Sequence, residues 1–118
     1  MTQRDIAVHL FDILQACDHI QAFTSGKDLD EYLTDVMLRS AVERQFGNVG
    51  EALNRLRRDA PELLDHITAS QEIIAFRNRL IHGYDAVNDE TVWGVIHTRL
   101  PRLRQDVRRL LDQHDRAR

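Results

Sequence analysis

The chain has 118 residues, 42% hydrophobic and 30% charged, with only two prolines and five glycines, which predicts one helix-rich domain over residues 1–118 and excludes a second core, a fibre or a disordered chain. A net charge of -3 excludes a protein that coats nucleic acid with its whole surface while allowing a local basic cleft. One cysteine, Cys17, excludes an internal disulfide, and the absence of a signal-peptide core or membrane-length apolar run predicts a soluble, cytoplasmic protein with no membrane partner.

Ile6, Leu10, Ile13, Leu14, Cys17 and Ile20 recur at steps of three and four and predict an amphipathic helix from about Arg4 to Thr24. Ser25-Gly26 supplies the left-handed residue that commonly ends a helix, and Asp28 with Glu31 resembles a capping box for the next. The stripe Leu33, Val36, Met37, Ser40/Ala41, Val49, Leu53 and Leu56 predicts one helix of roughly thirty residues, from Leu29 to about Asp59, closed by Pro61. Gly47 and Gly50 each weaken it by on the order of 1 kcal/mol relative to alanine, which points to a backbone packed closely against a neighbour.

Pro61 suits the first turn of a short helix reaching about Ile67, and Thr68 or Ser70 can cap its successor. That successor carries Ile73, Ile74, Phe76, Leu80 and Ile81, too apolar for an open surface, and Gly83 marks its end. Asp85 to Asp89 read as a polar linker, with Asn88 or Asp89 capping a helix that holds Val92, Trp93 and Ile96 and that Pro101 should break or kink. Leu103, Val107, Leu110 and Leu111 restore the helical period before a frayed tail from Gln113 to Arg118. No run alternates as a strand would, so the fold class is all-α, an antiparallel bundle of four main helices with one or two short extras.

The densest polar chemistry is the string Arg77-Asn78-Arg79-Leu80-Ile81-His82-Gly83-Tyr84. At about 100° per residue Arg77 and Tyr84 lie near one azimuth, as do Asn78 and His82, whereas Arg77 and His82 differ by about 140°. They can converge only near a helix end or across an interface. Such groups could work on a phosphodiester, and cutting one beside a 2'-hydroxyl without a metal needs a base for the hydroxyl proton, an acid for the leaving 5'-oxygen and a cation for the phosphoryl oxygens. Histidine titrates in the right range for either proton transfer, and the arginine fork fits phosphate. One His82 cannot be both groups in one step, and a two-fold dimer would supply two. The spacing alone is close to noise, because a histidine in the last turn of a helix suits the dipole and an arginine one turn earlier is usually a solvated surface residue.

The remaining polar residues read as structure. His9, His19, His66, His97 and His114 fall into no C-x2-C or H-E-x-x-H arrangement, so no metal site and no cofactor are expected. Trp93 reads as core or dimer interface, Asp5, Asp12 and Asp18 as a solvated helix face, and Arg102, Arg104, Arg108 and Arg109 as solvation of the last helix.

The whole string, followed by an acidic loop, Val92-Trp93 and Leu100-Pro101, and preceded by Asp12-Ile13-Leu14 and Gly50-Glu51-Ala52, resembles the HEPN nucleases, and among them the HepT-like toxin group, over almost the entire chain. The resemblance implies a metal-independent endoribonuclease toxin that acts on RNA as a homodimer, with a cognate minimal nucleotidyltransferase as its antitoxin. It makes Arg77 and His82 the catalytic pair, Asn78 a supporting polar group, and Tyr84 the tyrosine that the nucleotidyltransferase adenylylates. The segment Asp65-His66-Ile67-Thr68-Ala69 departs from the family, whose members often carry a proline-tryptophan pair before the motif helix. Two other classes stay open on the residues alone: a catalytically inactive HEPN module that binds nucleotide or the nucleotidyltransferase, and a plain dimerisation bundle in which the string is structural.

Overall fold

The computed structural model describes residues 3–82 and 87–117. In order come α1 (Gln3–Thr24), α2 (Leu29–Thr34), α3 (Val36–Asp59), a 3-10 turn (Pro61–His66), α4 (Ser70–His82) and α5 (Asp89–Arg116), with no strand among the described residues. The architecture is the expected all-α bundle, four long helices with two short extras. None of these helices is long and apolar enough to cross a membrane.

The first turn forms as read. Gly26 sits at φ 74°, and the capping box closes with Glu31 N donating to Asp28 Oδ1 at 2.8 Å and Asp28 N donating to Glu31 Oε1 at 3.1 Å. The expected thirty-residue helix is instead two. Asp35 leaves helical backbone at φ -111°, ψ 98° and accepts from Leu38 N at 3.1 Å, while Arg39 Nη1 donates to Leu33 O at the end of α2 at 2.6 Å. A carboxylate that takes the orphan amide of the next turn starts a new helix there. The break leaves Val36 and Met37, read as core from their spacing, 65% and 81% exposed, and the fully buried Tyr32 fills the core beside them.

Pro101 does not end the last helix, which continues through it from Asp89 to Arg116. Leu100 and Leu103 on either side are fully buried, and their packing offsets the roughly 3 kcal/mol that an internal proline costs. Cys17 is buried without exposure, and burial pushes its thiol up to about 12, the inert side chain its position suggested. Helix α1 runs antiparallel to α3 and to α5. His9 Nε2 meets Asp59 Oδ2 at 2.7 Å while His19 Nδ1 lies 3.3 Å from Gln45 Oε1 further along, and Arg104 of α5 pairs with Asp18. Helix α4 is anchored by buried Ile73, Ile74 and Phe76, whose ring meets Phe46 of α3 edge-on at 5.1 Å.

Neither hydroxyl expected to cap α4 does so. Ser70 Oγ donates back to Leu64 O at 3.4 Å, and Thr68 turns to Asp106 of α5. That carboxylate, on a residue 1% exposed, accepts from Thr68 N at 2.9 Å, Arg102 Nε at 3.3 Å and Arg109 Nη1 at 3.2 Å, and Arg109 Nη2 also donates to His66 O at 3.1 Å. The clamp holds the segment leading into α4, including Ala69 at φ 63°, a left-handed conformation that costs a non-glycine residue roughly 1–2 kcal/mol.

Burial alone would raise the Asp106 carboxyl, but hydrogen bonds from Thr68, the charge of Arg102 and the hydrogen bond from Arg109 hold it below the usual carboxylate range. The unfolded chain therefore binds a proton here at a higher pH than the folded one does. The stability it contributes is complete above the unfolded value of about 4 and is lost as pH falls through the lower folded value. Asp106→Ala should cost about 2–3 kcal/mol in urea unfolding at neutral pH, and the difference from the parent should shrink below about pH 4. A variant as stable as the parent at neutral pH contradicts this account.

Candidate active site

Helix α4 approaches α3 at two glycines. A Cβ placed at Gly50 would run into Arg77 Cγ and stand 2.5 Å from its Cδ and 2.8 Å from its Cβ, and one placed at Gly47 would stand 3.4 Å from Ile81 Cδ1. Residue numbers fall on α3 as they rise on α4, so the helices are antiparallel. The close packing expected at these glycines is present, and its partner is the arginine of the motif. The aliphatic stem of Arg77 lies across α3 where any other residue would carry a methyl group.

Arg77 is half-buried by this seat. Its Nη1 donates to Asn78 Oδ1 at 3.1 Å, and its Nε is buried with no hydrogen-bond partner among the described residues. Leaving such a donor unsatisfied costs about 1–3 kcal/mol, more than a solvated surface arginine needs to spend. No carboxylate pairs with Arg77 among the described residues.

His82 lies in the last turn of α4 and is exposed, next to Ile81, which is 48% exposed instead of being covered as its apolar character suggested. Five residues separate it from Arg77, about 7.5 Å along the helix and about 140° around it. The structure thus brings Arg77 and Asn78 together and sets His82 on the outward face one turn further on. Tyr84 and Gly83 lie outside the described residues.

Beyond the end of α4, Arg39 Nε reaches Asp89 Oδ2 at 3.5 Å and ties the start of α3 to the start of α5, which Asn88 caps by accepting from Glu90 N. Glu43 lies on the stripe of α3 that holds Gly47 and Gly50. Burial and the charge of Asp89 raise its carboxyl, against the pull of Arg39. Trp93, half-buried, sits between Tyr32 at 5.2 Å and His97 at 4.4 Å, ring to ring, which packs it on the core of its own chain.

A family model described as ribonuclease HepT-like matches residues 13–110. The chain belongs to the ribonuclease HepT-like family. It is 32% identical over 111 residues to a Methanocaldococcus jannaschii protein named "Putative RNase MJ0125", covering 94% of this chain and 95% of that one. A second relative from that organism, "Putative RNase MJ1216", is 31% identical over 111 residues, 94% of this chain and 91% of its own. "Probable ribonuclease HepT" of Thermococcus cleftensis is 29% identical over 96 residues, 81% of this chain and 86% of that one. No solved structure matches the chain.

In this HepT-like chain the residue the string did not reveal is Gly50. Two glycines three apart in a helix announce a close approach, but nothing local names the side chain that fills it. Gly50→Ala should destabilise the protein by about 1–3 kcal/mol by forcing the two helices apart, although alanine is the better helix former. Gly47→Ala, where only the end of the Ile81 side chain must adjust, should be neutral or gain up to about 1 kcal/mol. Thermal or urea unfolding of the two variants side by side checks the contrast, and equal effects would contradict the seat.

Proposed function

We propose that residues 1–118 act as a single HEPN-like domain, a cytoplasmic metal-independent endoribonuclease toxin whose active site forms between two copies of the chain. The observation that carries the reading is the seat of Arg77: its aliphatic stem packs against Gly50 and leaves the residue half-buried, without a carboxylate partner among the described residues, on the helix that ends at the exposed His82. The fork of an arginine without a carboxylate partner can bind a phosphate through two parallel hydrogen bonds.

In the proposed reaction the 2'-hydroxyl oxygen of the RNA attacks the adjacent phosphorus, and its proton passes to a neutral His82. The bond from phosphorus to the 5'-oxygen breaks as the second copy's His82, protonated, donates to that oxygen. The products are a 2',3'-cyclic phosphate and a 5'-hydroxyl, and Arg77 stabilises the charge on the non-bridging oxygens while Asn78 fixes its orientation. Each chain carries one histidine in the string, so both proton transfers need two copies, and the exposed Ile81 beside His82 suits a contact between them.

Purified protein should elute with the mass of a dimer and cut RNA in EDTA, leaving 2',3'-cyclic phosphate ends. Arg77→Ala and His82→Ala should each lower cleavage by about 10²- to 10⁴-fold while keeping the parental circular dichroism. Parental rates in both variants, cleavage only with added metal, or a stable monomer would sink the reading, and a folded dimer that cuts no RNA would favour an inactive partner-binding module.

Regulation follows from Tyr84, two residues after His82 in the sequence. We propose that a cognate minimal nucleotidyltransferase antitoxin attaches AMP to its hydroxyl, the oxygen displacing pyrophosphate from ATP, and that the added phosphodiester charge and base occupy the site next to Arg77. With the partner, ATP and Mg²⁺, the parent should gain one AMP on Tyr84 and fall silent, whereas Tyr84→Phe should go on cutting RNA. An adduct located elsewhere by mass spectrometry, or a Tyr84→Phe protein that is still silenced, contradicts this route.

A further inference from the structure

The arginines of this acidic chain are not neutralised evenly. On α5, Arg99 pairs with Glu72, Arg102 and Arg109 with Asp106, Arg104 with Asp18 and Arg108 with Asp112, which fits the reading of these arginines as solvation of the last helix. On α3, Arg39, Arg55 and Arg58 likewise face Asp89, Glu51 and Asp59. Apart from Arg4 and Arg116 at the outer ends of α1 and α5, the arginines with no carboxylate partner among the described residues are Arg44, Arg57, Arg77 and Arg79. All four stand on α3 and α4.

Two of them flank the Arg77 seat along α3. Arg44 lies six residues before Gly50 and Arg57 seven after it, about 9 Å and 10 Å along the helix axis. Both are exposed, and Arg57 Nη2 is steadied by Asn54 Oδ1 at 2.8 Å. Arg44 is turned about 120° from Gly50, away from buried Phe46, Val49 and Leu53. His82 is turned about 140° from Arg77, away from buried Ile73 and Phe76, whereas Asn78, at about 100°, lies within about 40° of buried Ile74. For antiparallel neighbours those rotations open on one outer face, and with Gly47 opposite Ile81 the register sets Arg44 about 4.5 Å beyond the level of Ile81 along the axis of α3.

The geometry points to the α3–α4 seam as the path of a single RNA strand, with Arg44 on its outer face and Arg57, about 20° from the azimuth of Gly50 and about 140° from that of Arg44, as backbone phosphate contacts on either side of the Arg77 seat. The assignment rests on the ribonuclease reading above. Cations already paired in the folded protein release no counterions from RNA when it binds, whereas unpaired ones do, so affinity and salt dependence belong to the unpaired set.

The test is binding of a short 2'-O-methyl oligoribonucleotide, which lacks the attacking hydroxyl and stays intact, measured by fluorescence anisotropy from about 0.05 to 0.2 M salt. Arg44→Ala and Arg57→Ala should each weaken binding about fivefold near 0.1 M salt and reduce the slope of log affinity against log salt by about 0.7. Arg108→Ala, which removes a paired arginine of α5, should change neither. Binding that survives both α3 substitutions with parental slope overturns the path while leaving the ribonuclease reading intact, provided the parent binds. A parent that neither binds nor cuts RNA overturns both. Parental binding by Arg44→Ala together with loss of the dimer mass would make this face a protein interface and also overturn the assignment.

Discussion

At Gly50 the backbone of α3 and the stem of Arg77 fill space that one methyl group would need, and much else follows from that contact. The distance between packed helices depends on the side chains between them. Here the thinnest residue on one helix meets one of the longest on the other, so the arginine is itself the filler. Its methylenes act as apolar packing while its Nη1 reaches Asn78 Oδ1. Because the stem is pinned, the guanidinium is placed by the fold and not by a search among solvated rotamers. A charged group placed beforehand loses less entropy when it meets its ligand.

That seat works only if α4 is fixed along its axis, and the chain fixes it in two ways. Asp106 clamps the segment leading into α4, and the Phe46–Phe76 ring contact sets its depth. The costs are visible nearby: Ala69 in a left-handed conformation and Arg77 Nε without a partner among the described residues. Strain of this kind persists where the surroundings over-determine it, and it gathers at functional sites. What the clamp and the rings leave uncovered is the outer turn of α4 with Ile81 and His82.

The sequence made the helices legible where local chemistry and periodicity agreed. Asp28 and Glu31 close their box as written, and α1 runs almost as its apolar stripe predicts. Periodicity misled at Asp35, because the stripe from Leu33 to Met37 passes through the break unchanged, while the break itself is made by hydrogen bonds from Leu38 N to the aspartate and from Arg39 to Leu33 O. At Pro101 the helix does not break, since packing at Leu100 and Leu103 outweighs a strong local signal. Asp106 had a signal that could have been read. It falls on the stripe of Leu103, Val107 and Leu110, where a carboxylate must either be paired or break the pattern. For the site, the string located Arg77, Asn78 and His82 on one helix and the glycines announced a close approach, but which side chain met which glycine is a tertiary fact.

Net charge is a poor guide to such a protein because compensation is local. At 0.15 M ionic strength a surface charge is felt over roughly 8 Å, so a phosphate approaching α4 responds to the arginines of α3 and α4 and hardly to the acidic surplus elsewhere. The ion pairs of α5 do little for stability individually, since exposed pairs contribute at most about 1 kcal/mol. On the RNA path proposed above, their larger effect would be to silence cations that otherwise compete for the strand. A molecule of overall charge -3 can in this way present one basic face, and the same pairing that looks like ordinary surface solvation decides which face it is.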